Sequence, residues 1–256
     1  MVTTLWLKEI KAQVYTWKGT LWLVIASLLF SFSSYLMLTD KELTLLDQTE
    51  LLWMLSKIII GAAFLIVAID ASSVLTAEFE RETAESLFLS PVTLPAVLLA
   101  KWLASLTLWL ALFAVAVPYM VVTSAGTRLT FPFLGYILLL GTLGIAGMTL
   151  LILGISLLFR SSKNTLTTSL VILLALSAPA LFSSTLKSSG VAQAFARANP
   201  LDNIFSALDN VLVDYQWSLL QNGRYLWPLL LFSLATLAFL MVAIRVFRRQ
   251  GLIKHE

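Results

Sequence analysis

The chain has 256 residues, 59% of them hydrophobic and 12% charged, where an ordinary soluble domain is about half apolar and a quarter charged; with a mean hydropathy of +0.91, its expected solvent is the bilayer. A net charge of +3, with no basic patch interleaved with aromatics, excludes a nucleic-acid reader. The absence of cysteine and a single histidine, His255, exclude disulfides, thiolate catalysis, HExxH zinc sites and His-ligated haem, and no GxxxxGK[ST] phosphate cradle occurs.

Lys8, Glu9, Lys11 and Lys18 precede any long apolar run, and no small-residue cleavage site follows the first span, so no cleavable signal is expected. Leu5, Trp6, Ile10, Val14 and Trp17 recur at helical spacing, with lysines on the other side. This pattern predicts an interfacial helix over residues 5–18.

A helix crosses about 30 Å of hydrocarbon with about 20 mostly apolar residues. Six runs qualify, at about 20–38, 52–76, 97–122, 133–159, 166–186 and 225–246. They must be helices, because an open strand edge in lipid leaves backbone groups unpaired. The predicted fold class is all-α, a polytopic membrane protein with six transmembrane helices in one domain over residues 1–256. Six spans put both termini on one side. Placing them in the cytoplasm gathers most of the 17 basic residues on the inside, as the positive-inside rule requires.

The second run carries Asp70 in FLIVAIDASSVL, followed by Ser72, Ser73 and Thr76 as a polar stripe toward Glu78. A charge at the bilayer centre costs about 3 kcal/mol on insertion scales, so Asp70 is expected to face protein or water. It either lines a translocation path with Ser73, or bonds a neighbouring span, or sits near the cytoplasmic end of a tilted helix. Lys57 is expected to snorkel toward the outer interface.

EFERETAESLFLSP, residues 78–91, follows. As a helix over 77–90, within a segment 77–92, it sets Glu78, Glu82 and Glu85 on one side and Phe79, Thr83 and Leu87 on another, with Arg81 paired to Glu85. Ser90-Pro91 ends it, and Thr93 is placed to cap the next helix. The alternatives are a docking surface and a solvated linker.

Trp109, inside the third run, either lines a path or packs. Gly141, Gly144, Gly147 and Gly154 are expected to let helices approach closely, and Pro118 and Pro179 to bend their spans. Trp6, Trp17, Trp22, Trp53, Trp102, Trp217 and Trp227 lie near run ends, as an aromatic belt predicts. In the long loop 187–224, Asn199-Pro200 signals a turn. Leu201, Ile204, Phe205, Leu208, Val211 and Leu212 then mark an amphipathic helix at or dipping into the outer surface, with Asp202, Asn203, Asp209 and Asn210 on its polar face.

The run ERETAESLFLSPVTLPAVLLAK, residues 80–101, resembles the segment after the second span in ABC-2 type permeases, the membrane subunits of a class of ABC exporters. The resemblance is carried by Glu80-Arg81, Thr83, Glu85, Leu87, Ser90-Pro91-Val92 and Lys101. The chain departs at Glu82, where the family often has glycine. Six spans, an N-terminal interfacial helix and the loop holding Asn199-Pro200-Leu201 are similar to the family plan. LSPVTLPAVLLAKW also resembles the haem-exporter B subunits of cytochrome c maturation, which lack so large an outer loop.

The resemblance implies that residues 77–92 form a coupling helix seated on a separate ATPase subunit. Its coupling residues would be Glu80, Arg81, Glu82, Thr83, Glu85, Ser90 and Pro91. It also implies pairing with a second copy or a homologous permease, ATP and magnesium on the partner ATPase and no cofactor on this chain. The chain would then be a non-enzymatic transporter subunit of the inner (plasma) membrane, exporting by alternating access. The competing expectation is an ion-coupled carrier or channel using Asp70. An intramembrane enzyme lacks a catalytic constellation.

Overall fold

The computed structural model describes residues 2–39, 48–80, 93–181 and 190–252, and all regular structure among them is α-helical. In chain order the helices are α1 (Val2–Gln13), α2 (Trp17–Thr39), α3 (Gln48–Val74), α4 (Thr76–Glu80), α5 (Leu94–Thr123), α6 (Thr130–Phe159), α7 (Ser162–Leu181), α8 (Gly190–Ala198), α9 (Pro200–Leu212) and α10 (Gly223–Leu252). Five are long and apolar enough to cross a membrane: α2, α3 with α4, α5, α6 and α10. Each of these starts two to four residues before its expected apolar run. The fifth expected span corresponds to α7, which opens on the polar turns SKNTLTTS and is described as far as Leu181.

α3 and α6 form the centre, with α2, α5, α7 and α10 packed around them. The α6 glycines act as seats for large side chains. Trp109 lies against Gly141, Phe64 against Gly144, Phe232 against Gly147 and Phe239 against Gly154. Without a hydrophobic drive between helices in lipid, close packing of this kind supplies the cohesion. Lys57 folds back over the Trp53 ring, 3.1 Å from its centroid.

Two expected elements take a different form. The helix expected over 5–18 stops at Gln13, and Trp17 and Lys18 belong to α2. Glycine makes the elbow possible, since a Cβ at Gly19 would stand 2.6 Å from the Val14 carbonyl oxygen. Thr16 Oγ1 accepts the Gly19 N–H at 3.5 Å and so caps α2. α1 packs along α5, with Trp6 Nε1 donating to Thr107 Oγ1 at 3.3 Å.

The second difference is the amphipathic helix. α9 forms where the pattern predicts, capped by Asn199, whose Oδ1 accepts from Leu201 N and Asp202 N. Yet its polar face is not wholly solvated, because Asn203 and Asn210 are buried. Asn203 Nδ2 donates to the Arg197 and Asn199 carbonyls at 2.8 and 2.7 Å. Asn210 Nδ2 donates to Gln216 Oε1 and Asn222 Oδ1. α9 thus inserts among α3, α6, α7 and α10, and its amides fasten the backbone before it and the side chains after it.

Candidate functional site

One end of the bundle gathers the residues that stand out in the sequence. α3 breaks at Leu75 for a visible reason. In an unbroken helix the Val74 carbonyl would accept from Glu78 N. Instead Glu78 N donates to the Leu75 carbonyl at 3.2 Å, and Lys101 Nζ donates to the Val74 carbonyl at 3.0 Å. The same ammonium meets Glu78 Oε1 at 2.8 Å and Glu9 Oε1 at 3.2 Å. An ammonium has three donors, and all three are used. Lys101 is only 1% exposed, so it ties α1, the α3–α4 junction and α5 together in a dry setting.

Asp70 lies one turn before Val74. Its Oδ1 pairs with Lys18 Nζ at 2.8 Å. Lys18 also donates to Ser73 Oγ at 2.8 Å, and Ser73 Oγ donates to the Asp70 carbonyl. Asp70 is therefore a buried acid paired from the neighbouring α2, while Asp70 Oδ2 is buried with no hydrogen-bond partner. The stripe that follows is largely satisfied by its own helix: Ser72 donates to the Ile69 carbonyl and Thr76 to the Ser72 carbonyl.

α4 carries Glu78, Phe79 and Glu80, and each reaches a different neighbour. Glu78 meets Lys101. Phe79 joins a cluster at the ends of α6 and α10, its ring 5.7 Å from Phe247, over which the Arg160 guanidinium lies at 4.8 Å. Arg160 follows the last turn of α6 with φ 53°, a left-handed cap position. Glu80 accepts the Ser162 N–H at Oε1 (2.7 Å) and the Ser162 hydroxyl at Oε2 (2.9 Å). That N–H is one of the donors a helix start leaves unmatched, and the acid complements the dipole of α7.

Of the expected coupling residues, Glu80 is the one that is described, with its carboxylate turned onto the start of α7. Arg81, Glu82, Thr83, Glu85, Ser90 and Pro91 lie outside the described residues, as does most of the expected helix over 77–90. Beyond them Thr93 holds the N-cap position of α5 with extended backbone but makes no side-chain cap bond.

Among the expected path residues, Trp109 is buried in the core, its Nε1 donating to Thr142 Oγ1 at 2.9 Å. A cavity of about 590 Å³ opens elsewhere, between α3, α7 and α9. Phe64, Leu65, Thr167, Leu174, Leu201 and Phe205 contribute to its wall, and Asp70, Ser73 and Trp109 do not. Among the described residues no group of acids and histidine could hold a metal ion.

Sequence reasoning missed Glu9 and the hub function of Lys101. The signal was present, because a lysine inside AVLLAKWLASL needs an acid partner. Which acid it finds depends on how α1 folds back. Trp102 was likewise placed near a run end, but its indole donates to the Ala146 carbonyl within the bundle. No family model matches the chain, and no curated protein matches its sequence.

Proposed function

We propose that this chain is the membrane-spanning subunit of an ATP-driven exporter of the ABC-2 type, with α7 as a sixth span and both termini in the cytoplasm. ATP is hydrolysed on a separate ATPase subunit, which grips the segment after α4 through Arg81, Glu82, Thr83 and Glu85. Two such chains, or this one and a homologous permease, enclose the path in the inner membrane.

One observation carries the reading. The two ends of the motif both hold α4, Lys101 through Glu78 and Glu9 to α5 and α1, and Glu80 through Ser162 to α7. A push on the segment between them would therefore reach several helices at once. The apolar wall of the α3–α7–α9 cavity favours a lipidic or amphipathic cargo over a polyion. Purifying the chain with its neighbouring gene product is expected to give an ABC ATPase complex whose ATPase rate depends on this subunit. Charge reversal at Glu82 and Glu85 should dissociate it; an intact, equally active complex overturns the reading.

The unpartnered Asp70 Oδ2 supports a second reading, an ion-coupled carrier with Asp70 as the proton or ion site. Asp70→Asn separates the two. It abolishes transport in such a carrier and leaves ATPase coupling in an exporter.

A further inference from the structure

α4 is five residues long, yet it is fastened in two ways of opposite character. Toward α1 and α5 the joint is closed. The Lys101 ammonium is enclosed and spends all its hydrogens on Glu9, Glu78 and the Val74 carbonyl. Toward α7 the joint is open. The two Glu80–Ser162 hydrogen bonds lie at an exposed position, where water can enter when they part, while their carboxylate makes them stronger than neutral bonds. The buried Thr76 of α4 is also hydrogen-bonded to the Ser162 hydroxyl, at 2.7 Å, so Glu80 is the exposed one of two α4 side chains that hold this residue.

The two joints also lead to different places. The closed one leads to helices that do not line the cavity. The open one leads to α7, whose Thr167 and Leu174 do, facing Phe64 and Leu65 of α3. Ser162 and Thr167 are little more than one helical turn apart, so a shift of the first turn is carried into the cavity wall.

We infer that Glu80 is a positioning residue that couples α4 to α7. While its carboxylate holds Ser162, α7 keeps its register against α3. When α4 is displaced and the two bonds part, α7 slides and the cavity changes width. The assignment rests on the exporter reading only for the source of the displacement. It also gives Glu80 a role inside the chain in place of contact with an ATPase. The element with two discrete arrangements is the hydrogen-bonded pair, made or broken, which is what energetic coupling between sites requires.

The natural lack of cysteine permits a direct test. Leu65→Cys and Leu174→Cys place one thiol on each wall of the cavity. Bis-methanethiosulfonate reagents of graded length then report the spacing in the purified full chain in lipid vesicles. The expected result is a shift in the best-fitting length with Glu80→Ala and a smaller shift with Ser162→Ala, which keeps the backbone N–H bond. Combining the two should add nothing beyond Glu80→Ala, and Glu80→Gln, whose amide oxygen still accepts that N–H, should keep the original spacing. A thermal midpoint unchanged in each variant separates this positional effect from loss of fold, which a merely structural cap would show instead. An identical best-fitting length in all backgrounds overturns the inference, whatever the ATPase partner does. A shifted length in a chain that stimulates no ATPase leaves the coupling of α4 to α7 standing and removes the exporter reading.

Discussion

Replacing the buried Lys101 by methionine would leave the partly buried Glu9 and Glu78 carboxylates without this cation, so the cost of a fully enclosed pair is an upper bound. Breaking such a pair by removing one partner costs about 3–5 kcal/mol, whereas replacing all members together is often neutral. Lys101→Met is therefore expected to lower the thermal midpoint in detergent sharply. The triple variant Lys101→Met, Glu9→Gln, Glu78→Gln should recover most of the loss, and equal midpoints for the single and triple variants would contradict the hub. Asp209 on α9 offers a pH test. Its carboxyl is raised above the ordinary 3.8, first by burial, then by Asp214 and Glu50, against a lowering by Lys57. A raised acid binds its proton more tightly when folded. Its presence therefore favours folding below the unfolded pKa, and that contribution is lost as pH rises through the folded value. Asp209→Asn should raise the midpoint at pH 7 and leave it unchanged near pH 3, as read by thermal unfolding across that range.

At the scale of elements, apolar run length made the long helices legible, and Asn199-Pro200 made the start of α9 legible, because caps and turns are local chemistry. The burial of Asn203 and Asn210 was not legible, since their partners are the Arg197 and Asn199 carbonyls and the side chains of a loop 6 to 12 residues away. The four glycines of α6 were readable as close contacts, but not the rings they seat. Gly144→Ala would put a Cβ 2.7 Å from both the Phe64 ring and the Ile204 methyl. Overpacking of this kind costs about 1–3 kcal/mol. A measured loss in that range by chemical denaturation is expected, while Gly61→Ala, with open space at its Cβ, should change little.

For the whole molecule, the arrangement of α3 and α6 against their neighbours brings α1, α4 and Arg160 to one end and α9 to the other. The proposed topology puts the first end in the cytoplasm. A single cysteine replacing Leu220, which is 93% exposed, should react with a membrane-impermeant maleimide applied outside intact cells. One replacing Lys163 should react only after permeabilisation, and the reverse pattern would invert the topology.

Apolar composition by itself made this a helical membrane protein, because backbone groups in hydrocarbon must be satisfied within each helix. Apolar run length by itself located the long helices, and spacing located α9 and the charged segment after the second long run, while α8 went unread inside the 187–224 loop. Only the folded bundle decided that Lys101 binds Glu9 and Glu78, that Lys18 meets Asp70, and that Glu80 caps α7. These are contacts between residues 23 to 92 positions apart, and pairing at that range depends on which helices pack together rather than on any local pattern.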